Sequence, residues 1–254
     1  MKMGLEGRRV LVMAGSQGIG LACAQAFHGE GAQVTIAARG AEGLAAAEAS
    51  MRGCRVVRGD VAEPTDIARI VAAAGAVDVL INNAGGPRGG DIVALDDADW
   101  LAAVQLTLMS AVRATRAVLP HMQAQRWGRI VMISSLGVKQ PVPGLSLSNS
   151  LRMAVAGWAK ALANEVGPDN ITVNSVLPGL TRTARGESII AARAQASQLS
   201  PEQFNTAILE DIPLRRIGDP HEIANCALFL GSEAASFVTG ATLQVDGGQI
   251  GYPL

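Results

Sequence analysis

A glycine-rich turn near the start of the chain has the residue types needed to hold a phosphate-containing ligand. It follows an apolar run at 10–14 and precedes an alanine-rich stretch at 18–30 that is typical of a helix. Backbone N–H groups at the start of such a helix attract anions, and glycine lets a pyrophosphate approach the backbone closely. The pattern predicts a dinucleotide site at Gly15, Ser16, Gln17, Gly18, Ile19 and Gly20.

An arginine lies where the second strand of such a site would end. Arg39 follows Gly20 by nineteen residues. An acidic residue at this place would bond a ribose 2′-hydroxyl, whereas a guanidinium suits a 2′-phosphate. We therefore expect NADP rather than NAD, with NAD still possible. The alternative is that Arg39 is a solvated charge at the end of a strand.

Two further groups of small and polar residues follow apolar runs. Asp60 and Val61 follow the third run, and Asn82, Asn83, Ala84 and Gly85 end the fourth. Because parallel strands end at the same edge of a sheet, these residues are expected to meet there and contact an adenine or a ribose. Asn also tolerates left-handed backbone conformations, so turn formation is a second interpretation of the asparagines.

Short apolar runs alternate with alanine-rich segments along the whole chain. Most of the runs are apolar at both odd and even positions, which is typical of strands buried on both faces of a parallel sheet. The alternation predicts one doubly wound α/β domain over residues 1–254, with helices on both faces of about seven strands. Strands are predicted at 10–14, 34–38, 55–58, 77–81, 129–134, 171–177 and 242–245. Helices are predicted at 18–30, 41–51, 64–74, 97–127, 148–167 and 220–231.

The segment 179–213 interrupts this alternation, since it is more polar and has no strand pattern. Two short helices are expected in it, at 186–197 and 201–210. An insertion after the sixth strand lies at the carboxyl edge of the sheet, where such folds bind ligands. We interpret it as a mobile cover over a small-molecule substrate. A surface ornament or a packing arm is the alternative.

Composition excludes several classes of protein. The chain has 254 residues, 49% of them hydrophobic, and a formal net charge of −1, which argues against a nucleic-acid-binding surface. The three cysteines lie far apart, so we expect reduced thiols and no metal site. The N-terminus lacks a signal peptide pattern, and no apolar stretch is long enough to span a membrane. A cytoplasmic protein is expected.

Several motifs in a fixed order identify a resemblance. The chain resembles the short-chain dehydrogenase/reductase family, and is close in pattern to 3-oxoacyl-(acyl-carrier-protein) reductases. The motifs are the glycine turn, Asp60-Val61, Asn82-Asn83-Ala84-Gly85, Ile133-Ser134-Ser135, Ala159-Lys160-Ala161-Leu162, Val173-Asn174, Pro178-Gly179 and Val245-Asp246-Gly247-Gly248. The resemblance implies a seven-stranded Rossmann-like fold, a nicotinamide cofactor, and a homotetramer or homodimer joined through the helices at 97–127 and 148–167.

The glycine turn departs from the family at its first position. Alignment on Gly18 and Gly20 places Ala14 where the family has its first glycine. An alanine is acceptable there if its φ is negative. Cofactor binding is then expected to survive in weakened form.

The catalytic positions depart further. The family uses a Ser, a Tyr and a Lys, with an Asn from the preceding long helix. Ser135 stands at the serine position, but Ser148 replaces the Tyr, Arg152 replaces the Lys, and the Asn place falls near Thr107. Because the chain has a single tyrosine, Tyr252, no Tyr-x-x-x-Lys pair exists in it. The active site is therefore atypical.

Other residues are candidates for the missing roles. Lys139, four residues after Ser135, could donate a proton or bind an anion, or lie solvated at the surface. Arg152 could bind a carboxylate or a phosphate, and Ser148 could merely cap its helix. Tyr252 could reach the pocket of a neighbouring subunit.

Two functions remain open from the sequence. The first is an NADP(H)-dependent oxidoreductase acting on a carbonyl or secondary alcohol, in which Ser135 polarises the oxygen. The second is a non-catalytic NADP(H)-binding protein, a sensor or an assembly subunit. The retained Ser135 favours the first, and the missing phenol favours the second, since a positioned general acid contributes roughly 10²–10⁴ in rate.

Overall fold

A computed structural model of the chain describes residues 2–197 and 200–252. Its strands form one seven-stranded parallel sheet in the order β3-β2-β1-β4-β5-β6-β7. The order reverses between β1 and β4, which creates a crevice at the carboxyl edge between the two halves. The strands are β1 (Arg9–Met13), β2 (Gln33–Ala38), β3 (Arg55–Arg58), β4 (Val79–Asn82), β5 (Gly128–Ile133), β6 (Ile171–Pro178) and β7 (Thr242–Val245).

Helices connect the strands and cover both faces of the sheet. They are α1 (Gly18–Gly29), α2 (Ala41–Ser50), α3 (Pro64–Ala74), α4 (Asp97–Ala103), α5 (Ser110–Gln125), α6 (Ser146–Val166), α7 (Ala184–Ser197), α8 (Pro201–Glu210) and α9 (Pro220–Leu230). The predicted fold class is confirmed, and each predicted strand lies within two residues of an observed one. Among the residues described, no helix is long and apolar enough to cross a membrane.

The prediction of one continuous helix over 97–127 is wrong. The segment forms α4, then a wider π-helical turn at Val104–Met109, then α5. Apolar periodicity continues through the turn, so the sequence pattern does not reveal it. Single π-turns within helices are frequent at functional sites, and this one carries Thr107.

Two apolar layers hold the helices to the sheet. Alternate residues of each strand point to opposite faces, so Val12 packs with Phe27 of α1 and Ile223 of α9. On the other face, Leu11 packs with Val118 of α5 and further residues of α6. Each fully buried aliphatic or aromatic side chain contributes roughly 1.5–3 kcal/mol, so these layers fix the strand ends that carry the candidate site.

At the amino edge of the sheet, a buried carboxylate is fully satisfied. Asp78 accepts hydrogen bonds from the Arg9 backbone N–H at 2.9 Å and from Arg9 Nη2 at 2.8 Å. It also accepts from His121 Nε2 at 3.1 Å and Gln125 Nε2 at 2.9 Å. Burial alone would raise the pKa of Asp78, but these donors outweigh it and hold the pKa well below its usual range. We call Asp78, Arg9, His121 and Gln125 the amino-edge cluster.

Candidate active site

The glycine turn connects β1 to α1, and its conformation and close packing require glycine at two positions. Helix α1 begins at Gly18, whose φ of 54° is in the left-handed region that favours glycine. A Cβ added at Gly20 would lie 2.5 Å from the Ala14 carbonyl oxygen and 2.7 Å from Asn83 Nδ2. Only glycine fits at position 20, and the helix start therefore comes close to the strand ends. This cradle fits the pyrophosphate of a dinucleotide.

Alanine at position 14 was expected to be acceptable only if its φ is negative, and the structure does not meet this condition. Its φ is 47°, not negative. A left-handed conformation costs a non-glycine residue about 1–2 kcal/mol. Asn83 Nδ2 donates to the Ala14 carbonyl oxygen at 3.1 Å and so helps to hold this conformation. The glycine turn is formed, with strain at its first residue.

Arg39 lies at the carboxyl edge, immediately after β2. Its side chain is 76% exposed, and Nη1 lies 3.5 Å from Asp60 Oδ2. Its carbonyl oxygen accepts a hydrogen bond from Arg58 Nε at 3.1 Å. This exposure is compatible with both interpretations of Arg39, as a partner for a 2′-phosphate and as a solvated charge. Sequence reasoning missed Arg58, a second cation beside it.

The predicted adenine and ribose contacts meet as expected at the same edge. Asp60 Oδ1 accepts from the Ala62 backbone N–H at 2.9 Å, and Val61 is buried. Asn82, at the end of β4, donates from Nδ2 to Thr115 Oγ1 at 3.0 Å. Neither Asn82 nor Asn83 has a positive φ, so the interpretation of these residues as left-handed turn formers is wrong. They hold neighbouring elements through their side-chain amides, while Ala84 and Gly85 continue the segment.

Ser135 lies just past the end of β5, beside the start of a 3₁₀ turn (Leu136–Val138). Its Oγ accepts a hydrogen bond from the Gly137 backbone N–H at 3.1 Å, which orients the hydroxyl. The Ser135 hydroxyl keeps its own proton for donation to a ligand oxygen. The preceding residue, Ser134, has a buried Oγ that finds no hydrogen-bond partner in the described part of the chain.

Ser148 and Arg152 lie one turn apart on α6 and therefore share a face. Helix α6 begins at Ser146 with Leu145 at its N-cap, so Ser148 is inside the first turn and the capping interpretation is wrong. The Ser148 side chain is buried. Arg152 Nη1 donates to the Ile133 carbonyl oxygen at 2.8 Å, at the end of the strand that leads to Ser135.

The Arg152 guanidinium is placed in an unfavourable electrostatic environment. Burial and, to a smaller extent, the positive charge of Arg185 together lower its pKa to about 10. The group nevertheless remains protonated at neutral pH. It provides a fixed positive charge at the carboxyl edge.

A small cavity lies beside Arg152. Its volume is about 20 Å³, enough for one water molecule. The polar residues that line it are Asn82, Asn83, Thr107, Ser110 and Arg152. Thr107 Oγ1 is buried without a hydrogen-bond partner among residues 2–197 and 200–252. Its position in the π-turn brings the hydroxyl to this cavity, as the predicted Asn place required.

Lys139 lies on the loop that follows Ser135, and Tyr252, near the C-terminus, contacts this loop. The Tyr252 hydroxyl donates a hydrogen bond to the Lys139 carbonyl oxygen. The backbone N–H of Gly251 donates to Gln140 Oε1 at 3.4 Å. Tyr252 thus packs against this loop of its own chain, and its reach into a neighbouring subunit stays a prediction.

The predicted cover contains two helices, α7 and α8, near the predicted positions. Pro178 ends β6, and a Cβ at Gly179 would lie 2.7 Å from Asp246 Cα, so the chain passes closely there. The helices pack on each other through a small apolar cluster that includes Phe204 and Ile208. Thr183 lies against Gly18 of the glycine turn.

Sequence reasoning missed Arg185 at the start of α7. Its Nη2 donates to the Pro87 carbonyl oxygen at 2.8 Å. A Cβ at Gly86 would lie 2.7 Å from Arg185 Nε, so the guanidinium covers this glycine. The glycine pair at Gly85 and Gly86 was the only signal of a close approach, and it does not specify what approaches.

Comparison with known proteins agrees with this geometry. Residues 13–249 match the family described as Enoyl-(Acyl carrier protein) reductase. The oxidoreductase UcpA of Escherichia coli K12 is 36% identical over 96% of this chain and 95% of its own length. The 3-oxoacyl-[acyl-carrier-protein] reductase FabG of Vibrio cholerae is 33% identical over 97% and 98%, respectively.

A solved structure of another protein also resembles this chain over its whole length. L-sorbose reductase from Gluconobacter frateurii, in complex with NADPH and L-sorbose, superposes with a TM-score of 0.92 at 32% identity, covering all of both chains. The resemblance predicted from the motifs is confirmed by the sequence relatives and by this structure. The chain belongs to the short-chain dehydrogenase/reductase family of oxidoreductases.

Proposed function

We propose that the protein is an NADP(H)-dependent oxidoreductase that interconverts a carbonyl and a secondary alcohol with an atypical set of catalytic residues. The observation that carries this proposal is that the glycine turn, after β1, and the oriented Ser135 hydroxyl, after β5, both lie at the carboxyl edge of the sheet. The cofactor prediction, NADP, is confirmed by the related L-sorbose reductase, which was solved with NADPH.

The cofactor would be held along the whole carboxyl edge. The glycine turn, from Gly15 to Gly20, would hold the pyrophosphate, and Arg39 the 2′-phosphate. Asp60 and Val61 would contact the adenine. Asn83, Ala84 and Gly85 would contact the riboses, with Pro178 and Gly179 beside the nicotinamide. When bound, NADPH supplies the hydride for carbonyl reduction.

The chain's own residues would handle the substrate oxygen. Ser135 donates a hydrogen bond to it. Arg152 places a positive charge where negative charge develops on that oxygen, and such preorganised stabilisation is a major source of catalysis. Ser148 lacks the acidity of a phenol, whose pKa is about 10. The proton would then come from solvent or from Lys139, beside the same loop, and the segment 179–213 would cover the substrate.

A non-catalytic NADP(H)-binding protein is the second candidate. The observation that favours it is the position of Tyr252, whose hydroxyl is engaged with the Lys139 carbonyl oxygen rather than with Ser135. In this function the same edge binds the cofactor without turnover.

The two candidates are separated by measuring NADPH binding and NADPH oxidation on the same preparation. Ketones, 3-oxoacyl thioesters and 2-oxo acids are suitable substrates for the screen. We expect Ser135→Ala to lower turnover roughly 10²–10³-fold without changing the NADPH dissociation constant, because it removes a donor to the oxyanion. Ser134→Ala is the matched control. Saturable NADPH binding with no turnover would favour the second candidate.

The predicted homodimer or homotetramer stays a prediction. Exposed apolar side chains on α4 and α6 support it, since Leu101 is 65% exposed and Met153 is 51% exposed. Sedimentation velocity on the purified chain measures the oligomeric state directly.

A further inference from the structure

Two arginines near the carboxyl edge donate hydrogen bonds to carbonyl oxygens and have no carboxylate partner among the described residues. Arg152 comes from α6 and donates to the Ile133 carbonyl oxygen. Arg185 comes from the start of α7 and donates to the Pro87 carbonyl oxygen. Within residues 2–197 and 200–252, neither guanidinium has a carboxylate oxygen within 4.0 Å. Their partners are neutral carbonyl groups, which leave most of the five N–H donors of each arginine available.

This arrangement is costly unless an anion joins it. Burial lowers the pKa of Arg152, and the nearby charge of Arg185 adds to this effect. Burial against the Gly86 segment also lowers the pKa of Arg185. Two like charges that are both partly desolvated repel each other in the absence of a counter-ion. An anion bound between them would relieve both effects.

A third polar group at the same place also lacks a partner. Thr107 Oγ1 is buried, lines the cavity beside Arg152, and has no hydrogen-bond partner in the described part of the chain. A buried hydroxyl without a partner costs about 1–3 kcal/mol, so its retention calls for a ligand or water oxygen there. The Thr107 hydroxyl comes from the π-helical turn and the Arg152 guanidinium from α6, and both residues line the same cavity. A polar ligand or water in that cavity could bond both groups.

We propose that Arg152 and Arg185 together bind a carboxylate or phosphate group of the substrate, so that the substrate is an anionic carbonyl compound or its alcohol. The proposal rests on the proposed function. Arginine forms paired hydrogen bonds with either anion, and a bidentate contact also fixes the orientation of the bound group. Arg185 belongs to the cover, so the anion would bind the cover to the body of the protein.

The cofactor's own pyrophosphate is the other possible source of this anion. The geometry favours the substrate, because Thr183 is the residue of this segment that lies against Gly18 of the glycine turn. Arg185, two residues later, reaches Gly86 and Pro87 beyond the end of β4. The pyrophosphate and the proposed anion site are thus separated along the edge.

The test uses substrates that differ only in the anionic group. Acetoacetate is paired with methyl acetoacetate, and dihydroxyacetone phosphate with dihydroxyacetone. Binding of each to the NADPH-loaded chain is measured by calorimetry, and turnover by NADPH oxidation. We expect the anionic member of at least one pair to bind about ten-fold or more tightly, as a charge-assisted pair of hydrogen bonds provides. Arg185→Gln should remove this preference.

A matched variant controls for a general loss of positive charge. Arg182 lies three residues earlier and pairs with Asp219 at 2.9 Å, so Arg182→Gln should keep the preference for the anion. Equal binding of both members of both pairs would overturn the proposal while leaving the proposed function intact. Loss of NADPH affinity in Arg185→Gln, with the substrate preference retained, would assign the arginine to the pyrophosphate and also overturn it. If the protein does not bind NADPH at all, the proposed function is overturned. Calorimetry with the four compounds in the absence of NADPH then still tests the arginine pair.

Discussion

Asp78 at the amino edge of the sheet and Arg152 at the carboxyl edge are partnered in opposite ways. At the amino edge, the carboxylate of Asp78 is 3% exposed and receives donors from Arg9, His121 and Gln125. At the carboxyl edge, Arg152 is charged and donates to the Ile133 carbonyl oxygen. A second arginine lies near it, and the Thr107 hydroxyl that lines the same cavity has no hydrogen-bond partner among the described residues. A charge with all its partners within the fold stabilises the fold, whereas a charge without them is retained at a cost. The comparison assigns Asp78 to the stability of the fold and Arg152 to ligand binding.

The largest expected effect comes from restoring the family's residues at the carboxyl edge. The double variant Ser148→Tyr, Arg152→Lys should raise NADPH oxidation with simple neutral ketones roughly 10²–10⁴-fold, because it supplies a positioned general acid. Steady-state kinetics measure the change. Arg152→Lys alone is the control and should give no such gain. If the double variant folds and binds NADPH but oxidises it no faster, the active site differs from that of its relatives in more than the missing general acid.

The next effect concerns the amino-edge cluster. Asp78→Asn should lower the free energy of unfolding by about 2–3 kcal/mol at pH 7, because Arg9 loses its partner; Arg9 is 39% exposed, so solvent limits the loss. Denaturation in urea measures it, with NADPH affinity as the control that should not change. An unchanged free energy of unfolding would show that Asp78 does not stabilise the fold.

The same cluster predicts a pH dependence. The pKa of Asp78 in the folded chain lies below its ordinary value of 3.8, so its contribution to stability is present above that pH. The contribution is lost as the pH falls through the lower, folded-state pKa. The difference in unfolding free energy between the native chain and Asp78→Asn should therefore shrink between pH 5 and strongly acidic pH. A constant difference over this range would contradict the account.

The smallest effect tests the cost of the unpaired arginine. Arg152→Met should raise the free energy of unfolding by about 1 kcal/mol, because it removes a desolvated charge and keeps similar volume. This corresponds to an increase of about 2–4 °C in Tm for a chain of this size. Differential scanning calorimetry measures it, and activity should fall at the same time. A lower Tm would mean that the bond to the Ile133 carbonyl oxygen outweighs the desolvation of Arg152.

The sequence predicted the sheet well because a parallel sheet leaves a strong local pattern. The run at 171–177 is apolar at both odd and even positions, and every residue of β6 is buried. The predicted ends of 55–58 and 242–245 also agree with β3 and β7, although these two edge strands are largely solvent-accessible. The π-turn at Val104–Met109 was not predictable, since it depends on hydrogen-bond geometry rather than on residue type. The left-handed Ala14 was also missed, because the packing of Gly20 and Asn83 imposes it.

The candidate site was only partly predictable, for a related reason. Family motifs located Ser135, Ser148 and Arg152, because these residues are fixed to strand ends and to one helix face. Arg185 belongs to a segment without a motif, and its approach to Gly86 is a contact between distant parts of the chain. Residues placed by secondary structure were found, and those placed by tertiary contact were not.

The account depends most directly on the cofactor site at the carboxyl edge. Calorimetric titration of the folded native chain with NADPH and with NADH tests it. We expect saturable binding of one NADPH per chain, about ten-fold tighter than NADH, since Arg39 provides a charged partner for the 2′-phosphate. No measurable binding of either nucleotide to a chain that still unfolds cooperatively would contradict the account.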